Sequence, residues 1–187
     1  MAFTESAVRA STPLATLASS SVARRIVIVG LGSLVIAAAA RVNVPMYPVP
    51  MSLQSLAIIV LAALSGFRLS GEIVTAYLLQ GLIGLPVFAA GGGLAYAMGP
   101  TGGYLVGFLM GALVIGYLAD RGWNTSLPKL TASLAFGHVV LFVPGVLWLA
   151  TLIGWEKAWV SGAAVFIAGS LVKTALGVAM VKAALRK

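Results

Sequence analysis

Long apolar runs with very few charged residues limit what this chain can fold into. The sequence has 187 residues, of which 60% are hydrophobic and only 9% are charged, whereas a soluble domain carries roughly 25% charged residues. Such a surface has too little polarity to face water, but lipid can solvate it if every backbone amide is satisfied within helices. The sequence therefore predicts an all-α integral membrane protein. The six apolar runs cover residues 26–40, 52–67, 71–85, 102–119, 131–154 and 161–184.

These runs predict a bundle of six transmembrane helices, with residues 24–187 as a single domain and residues 1–23 as a mobile N-terminal arm. The second and third runs are shorter than the roughly 20 residues that span a bilayer. With six spans, only Arg41 and Lys157 lie on the side opposite the termini. The excess of basic residues on the terminal side places both termini in the cytoplasm. That side holds Arg9, Arg24, Arg25, Arg68, Arg121, Lys129, Lys182, Arg186 and Lys187.

The outward connection at residues 86–101 is unusually rich in glycine. It contains Gly91, Gly92, Gly93 and Gly99 and is too apolar for a solvated loop. We expect it to fold over the bundle as a lid, and the alternative is a plain flexible connector.

Lys173 is a charged residue inside the sixth apolar run. An ammonium at the centre of a membrane helix costs roughly 2.5 kcal/mol or more, so it is expected to face a cavity and a partner. The one acidic residue within the six runs is Glu72, at the cytoplasmic end of the third, so none is placed to pair with Lys173, which favours a ligand anion as that partner. The alternative is that Lys173 snorkels to the interface. Ser170 precedes Lys173 by three residues, about one helical turn, and is expected on the same face.

Two other features are open to two interpretations each. Gln54 near the outer end of the second run either lines a cavity or bonds a neighbouring backbone. The stripe Ser33, Ala37 and Ala40 on the first helix predicts a docking face for another membrane subunit, because small residues let helices approach closely. The alternative for the stripe is packing within the bundle.

Several functions lack the residues that they require. The chain has no cysteine and a single histidine, so we expect no metal site and no cofactor. Paired carboxylates, a Ser/His/Asp set and a phosphate-binding loop are missing, which argues against an enzyme. The basic residues form no continuous stripe, so no nucleic-acid partner is expected. A membrane scaffold without a ligand remains an alternative.

Four segments resemble conserved segments of one transporter family. They are V-P-M-Y-P-V-P-M-S-L-Q at 44–54, G-L-P-V-F-A at 84–89, G-P-T-G-G-Y-L-V-G-F at 99–108 and G-V-L-W-L-A at 145–150. Together they resemble the BioY family, the biotin-specific S components of energy-coupling-factor (ECF) transporters. The resemblance implies a six-helix bundle in the bacterial cytoplasmic membrane that binds biotin from outside. It also implies a transmembrane coupling subunit and two ATP-binding-cassette ATPases as partners.

The resemblance also suggests roles for individual residues. The family's P-G-D-x-x-K segment reads A-G-S-L-V-K at 168–173, so Lys173 matches while Ser170 replaces the aspartate. We expect Lys173 to pair with the biotin carboxylate, and Ser170, Gln54 and outer-loop backbone groups to bond the ureido ring. The missing carboxylate leaves a second reading open, an S component for another small anionic vitamin. The expected apolar walls are Tyr47, Phe88, Tyr96 and Tyr104, beside the loop glycines Gly91, Gly92 and Gly93.

Overall fold

The computed structural model describes residues 12–186 and consists mainly of long apolar helices. Five of these helices are long and apolar enough to cross a membrane. They are α2 (Val22–Arg41), α3 (Gln54–Leu82), α5 (Gly102–Asp120), α6 (Leu127–Ile153) and a last helix, Trp155–Leu185. The last helix comprises α7 (Trp155–Trp159), a π-helical turn (Val160–Ala164) and α8 (Val165–Leu185). The mainly helical architecture, with its candidate membrane-spanning helices, agrees with the sequence prediction.

Gly66 divides α3 into two halves that lie side by side. Its φ of 73° and ψ of −179° are non-helical. In a straight helix Gln54 and Tyr77 would lie about 34 Å apart, yet Gln54 Nε2 donates a hydrogen bond to the Tyr77 hydroxyl at 2.8 Å. The chain therefore reverses at Gly66 and α3 is a helical hairpin. The predicted connection at residues 68–70 is itself helical, so the turn lies a few residues earlier than the sequence indicated.

The predicted outer connection at residues 155–160 is also helical rather than a loop. Only Gly154, with a φ of 83°, separates α6 from α7. Because nothing after Gly154 prevents helix formation, the last helix begins at once with Trp155.

Part of the predicted N-terminal arm is helical. Helix α1 (Pro13–Ala18) packs its buried Ala18 against the core, and α2 already begins at Val22. Residues 1–11, including Arg9, and residue 187 lie outside the described residues, so the mobility of the arm stays a prediction.

Two segments cover the outer end of the bundle. Strands β1 (Asn43–Val44) and β2 (Met51–Ser52) form an antiparallel hairpin. The glycine-rich segment contains a short helix, α4 (Leu94–Ala97), and several hydrogen bonds tie it to the bundle. Gly93 N donates to Gly81 O at 2.7 Å, and Trp148 Nε1 donates to Gly99 O at 2.9 Å. The segment is therefore packed down, while its movement as a lid stays a prediction.

The small-residue stripe on α2 is covered by this chain itself. Ser33 and Ala40 are fully buried, and Ala37 packs against the core. Gln80, in the second half of α3, donates from Nε2 to Ser33 Oγ at 3.0 Å. Because α3 occupies this face, the docking interpretation is corrected in favour of packing within the bundle. The opposite side of α2, with Leu31 and Val35, is exposed.

Candidate functional site

A cavity with polar and aromatic walls lies beneath the two outer segments. It is closed from above by the β-hairpin and the glycine-rich segment, and its sides come from α3, α5, α6 and α8. Its volume is about 50 Å³. It is lined by Val49, Pro50, Ser52, Gln54, Ser55, Ala89, Tyr96, Thr101, Tyr104, Leu105, Phe108, Leu141, Phe142, Phe166 and Lys173.

Lys173 lies in this cavity and not at the membrane interface. The residue is only 7% exposed, which argues against the snorkelling alternative. Its Nζ donates to the Ser52 carbonyl at 2.7 Å and to Ser55 Oγ at 3.1 Å. Both acceptors are neutral, and no carboxylate lines the cavity. Because an ammonium has three N–H donors, one remains for a ligand.

The first turn of α3 adds a second source of positive potential. Gln54 and Ser55 begin this helix, and its N-cap residue Leu53 provides no side-chain cap, although Ser52 Oγ accepts from Gln54 N at 3.4 Å. The backbone N–H groups at a helix N-terminus carry a positive partial charge and favour anions. Lys173 and this helix end therefore converge on a place where an anionic group would be stabilised.

Gln54 both lines the cavity and bonds its neighbours. Its Nε2 donates to the hydroxyl of Tyr77 rather than to a backbone group. The Tyr77 hydroxyl in turn donates to the carbonyl of Val87 at 3.3 Å. Gln54 is therefore held in a fixed position in the cavity wall.

Aromatic rings form the apolar side of the cavity. Phe142 lies with its ring centroid 6.0 Å from Tyr104 and 5.5 Å from Phe166. The Tyr104 hydroxyl donates to the Gly162 carbonyl at 2.7 Å. Tyr96 also lines the cavity, and Phe88 stacks behind it at 5.1 Å. Such walls suit the apolar part of a small ligand.

Some residues that the sequence grouped together lie elsewhere. Tyr47 is 94% exposed, and Phe88 is fully buried behind the wall rather than in it. The loop glycines Gly91, Gly92 and Gly93 belong to the covering segment but do not line the cavity. Ser170 lies instead in an apolar groove between α6 and α8, beside His138 and Thr174.

The separation of Ser170 from Lys173 follows from helix geometry. Three residues rotate by about 300°, so Ser170 points about 60° away from Lys173. Phe166, seven residues before Lys173, is offset by only about 20° and shares the cavity with it. The expected pairing of Ser170 with Lys173 in one site is therefore not what the structure has.

Ser52, Ser55 and Phe142 line the cavity but were not among the residues predicted for it. Hydroxyl groups are common on membrane helices, so neither serine is conspicuous alone. The available signal was their clustering, because Ser52, Gln54 and Ser55 place three polar side chains at the outer end of one apolar run.

Comparison with known proteins gives one consistent result. The model of the BioY family matches residues 9–187. The probable biotin transporter BioY of Rickettsia prowazekii is 33% identical over 149 residues, covering 79% of this chain and 76% of that protein. The biotin transporter BioY of Rhizobium etli is 40% identical over 136 residues, covering 67% and 72%. The crystal structure at 2.1 Å of the S-component for biotin from an ECF-type ABC transporter superposes with a TM-score of 0.79. Its sequence identity is 28%, and the match covers 88% of this chain and 92% of that one.

Proposed function

The chain belongs to the BioY family, and from that premise we propose that it is the biotin-binding S component of an ECF-type importer. The family consists of transport subunits, so the chain is not an enzyme and does not alter its ligand. The fold agrees with this assignment, since the bundle resembles a biotin S component over most of its length.

Buried Lys173 is the observation that carries the proposal. Biotin has a carboxylate at one end and a cyclic urea with two N–H groups at the other. Lys173 and the N-terminus of α3 stabilise the carboxylate. The Gln54 side-chain oxygen accepts from the urea, and Tyr96, Tyr104 and the neighbouring phenylalanines contact the apolar part. Ser170 lies outside this cavity, so Gln54 and backbone carbonyls take the role that was predicted for Ser170.

The covering segment acts as a lid in this proposal. The cavity of about 50 Å³ is well below the roughly 300–1,000 Å³ of small-molecule sites. Binding therefore requires the walls to move apart. The glycine-rich segment contributes Ala89 and Tyr96 to the wall, and its glycines give its backbone the freedom to move.

The membrane arrangement in the proposal has six spans, with the α3 hairpin crossing twice. Both termini then face the cytoplasm, and the chain resides in the bacterial inner membrane. A transmembrane coupling subunit and two ATP-binding-cassette ATPases supply the energy, because nothing in this chain resembles a nucleotide site. Support comes from the reversal at Gly66 and from the ECF-type transporter to which the similar S-component belongs.

Titration of biotin into the purified full chain tests the proposal, with Lys173→Met beside the wild type. Lys173→Met keeps the length of the side chain and removes its charge. Loss of one charge-assisted hydrogen bond, worth about 1.5–3 kcal/mol, predicts biotin affinity lower by about 10- to 150-fold. Biotin methyl ester, which lacks the carboxylate charge, should bind both proteins with similar affinity.

Lys157→Met is the matched control, because Lys157 is exposed at the outer side of the bundle. Its biotin affinity should equal that of the wild type. Unchanged affinity in Lys173→Met would remove Lys173 from the site, and failure of the wild type to bind biotin would refute the proposed ligand.

A second candidate is an S component for another small anionic vitamin. It is favoured by the lack of any carboxylate in the cavity wall and by Ser170 where the family motif has aspartate. Titrating a panel of anionic vitamins beside biotin separates the two, and binding of none of them would favour a ligand-free scaffold.

A further inference from the structure

We propose that Tyr77 is a positioning residue that fixes which atom of the Gln54 side chain faces the ligand. By holding the amide in one orientation, Tyr77 makes the cavity selective for ligands that carry N–H donors. The inference rests on the proposed function and extends it, because it names the residue that makes the cavity prefer ligands with N–H donors.

Tyr77 acts without touching the ligand. It is fully buried in the second half of α3 and does not line the cavity. Its ring packs edge-on against Phe88 with centroids 5.5 Å apart, and Gln54 is itself only 3% exposed. Tyr77 therefore has a fixed position between the cavity wall and the covering segment.

The hydrogen-bond pattern determines the orientation of the amide. A tyrosine hydroxyl has a single proton, and that proton is directed at the Val87 carbonyl 3.3 Å away. The hydroxyl oxygen can then only accept from Gln54, so the amide NH₂ must face Tyr77, at 2.8 Å. If the amide were reversed, the Gln54 oxygen and the Val87 carbonyl oxygen would both face the Tyr77 hydroxyl. Its single proton could serve only one of them.

The consequence is that Gln54 presents its carbonyl oxygen to the cavity. The Ser52 hydroxyl lies at 3.5 Å from this oxygen, the outer limit of a hydrogen bond, so a lone pair remains for the ligand. Lys173 supplies a donor nearby. The wall thus pairs one positive donor with one neutral acceptor, which matches a ligand with an anionic group and an N–H group.

The test compares biotin with an analogue in which both ring nitrogens are methylated. Both are titrated into the wild-type full chain and into Tyr77→Phe. Without the hydroxyl, the amide of Gln54 can rotate and present its NH₂ group. Tyr77→Phe should therefore lower biotin affinity by about tenfold and lower the preference for biotin over the analogue by a similar factor. A purely structural role would weaken both ligands equally and leave the preference intact.

Gln54→Met provides a second route, because it removes the amide but keeps its volume and the bond from Tyr77 to Val87. Gln54→Met should lose the preference for biotin over the methylated analogue. The double variant with Tyr77→Phe should show the same preference as Gln54→Met alone. Tyr117→Phe is the control, since it removes a hydroxyl from a residue that is 46% exposed.

The outcomes distinguish this inference from the proposed function. A wild type that does not bind biotin refutes the proposed function, and the inference with it. A wild type that binds biotin, with an unchanged preference in Tyr77→Phe or in Gln54→Met, overturns the inference alone.

Discussion

Lys173 is held in the bundle without a carboxylate partner because neutral groups solvate its charge. The Ser52 carbonyl and the Ser55 hydroxyl accept two of its three protons. Neutral acceptors offset only part of the cost of burying an ammonium, which is roughly 2.5–3.5 kcal/mol in a membrane helix. In the proposed function the remaining cost is offset when an anion binds, so the residue that destabilises the bundle would also be the one that binds the ligand.

Gly81 is a residue whose importance only the folded structure reveals. A Cβ at this position would lie 2.0 Å from Phe88 Cζ, and the Gly81 carbonyl accepts from Gly93 N. Gly81→Ala should therefore displace Phe88 and loosen the covering segment. We expect the chain to be destabilised by about 1–3 kcal/mol, as in other overpacked cores, which a thermal melt in detergent would measure.

Gly30→Ala is the matched control for Gly81→Ala. Gly30 also lies inside a helix, but a Cβ there would have no atom within 4 Å. Because alanine favours helix by up to about 1 kcal/mol over glycine, this variant should melt at the same temperature or higher. Equal melting temperatures for Gly81→Ala and the wild type would mean that Phe88 can move aside freely.

At the scale of helices, the sequence predicted three of the long spans closely. The spans that became α2, α5 and α6 lie within a few residues of their predicted bounds. The sequence failed where a single backbone angle decides the path, as at Gly66, and where a helix follows a glycine directly, as at Gly154. Hydropathy records how apolar a segment is but not where a glycine adopts a positive φ.

The site was predictable to the same limited degree. Lys173 and Gln54 were identified because a polar side chain within an apolar run is costly to bury and is therefore expected to have a partner or a function. Ser170 was misplaced because an apolar run does not reveal which of two neighbouring helix faces is turned toward the cavity. The orientation of α8 depends on its contacts with α3 and α6, which only the folded chain supplies.

The turn at Gly66 leads to a prediction about the α3 hairpin. Its φ of 73° with an extended ψ is a region that essentially only glycine occupies. A Cβ there would also lie 2.1 Å from Asp120 Oδ1, while Asp120 Oδ2 accepts from Phe67 N at 2.8 Å. Gly66→Ala should therefore lower the free energy of unfolding by at least about 1–3 kcal/mol, measured by thermal or denaturant unfolding in detergent.

Substitutions of Asp120 test the hydrogen bond to the Phe67 amide separately from the backbone conformation of Gly66. Asp120→Asn keeps an oxygen acceptor for the Phe67 amide and should be mild, whereas Asp120→Ala leaves that amide without its partner. If Gly66→Ala unfolded like the wild type, the turn would tolerate an ordinary residue and the reversal would have another cause.

Over the described part of the molecule, the ion pair and the cavity lie at opposite ends of the bundle. The end of the bundle near Gly66 holds the Arg25–Glu72 ion pair and Arg121 over the Tyr117 ring at 3.5 Å. The opposite end holds the cavity and its covering segments. Basic residues are retained on the cytoplasmic side of membrane proteins, so in the proposed topology the cavity opens outward. The proposed site for an imported ligand belongs on that side.

The last prediction concerns the number of spans, and the lack of native cysteine makes it directly testable. Single cysteines at the exposed positions Ser20, Phe67, Val44 and Ala184 are labelled with a membrane-impermeant maleimide in intact cells and in inverted vesicles. With six spans, Val44→Cys reacts in cells, and the other three react in vesicles only.

A single crossing by α3 would place Ser20 and Ala184 on opposite sides. A hairpin that entered and left from the outer side would keep the termini together but shield Phe67. Labelling of Phe67→Cys from the cytoplasmic side would therefore establish that both halves of α3, at about 18 and 24 Å, cross the bilayer despite their short length.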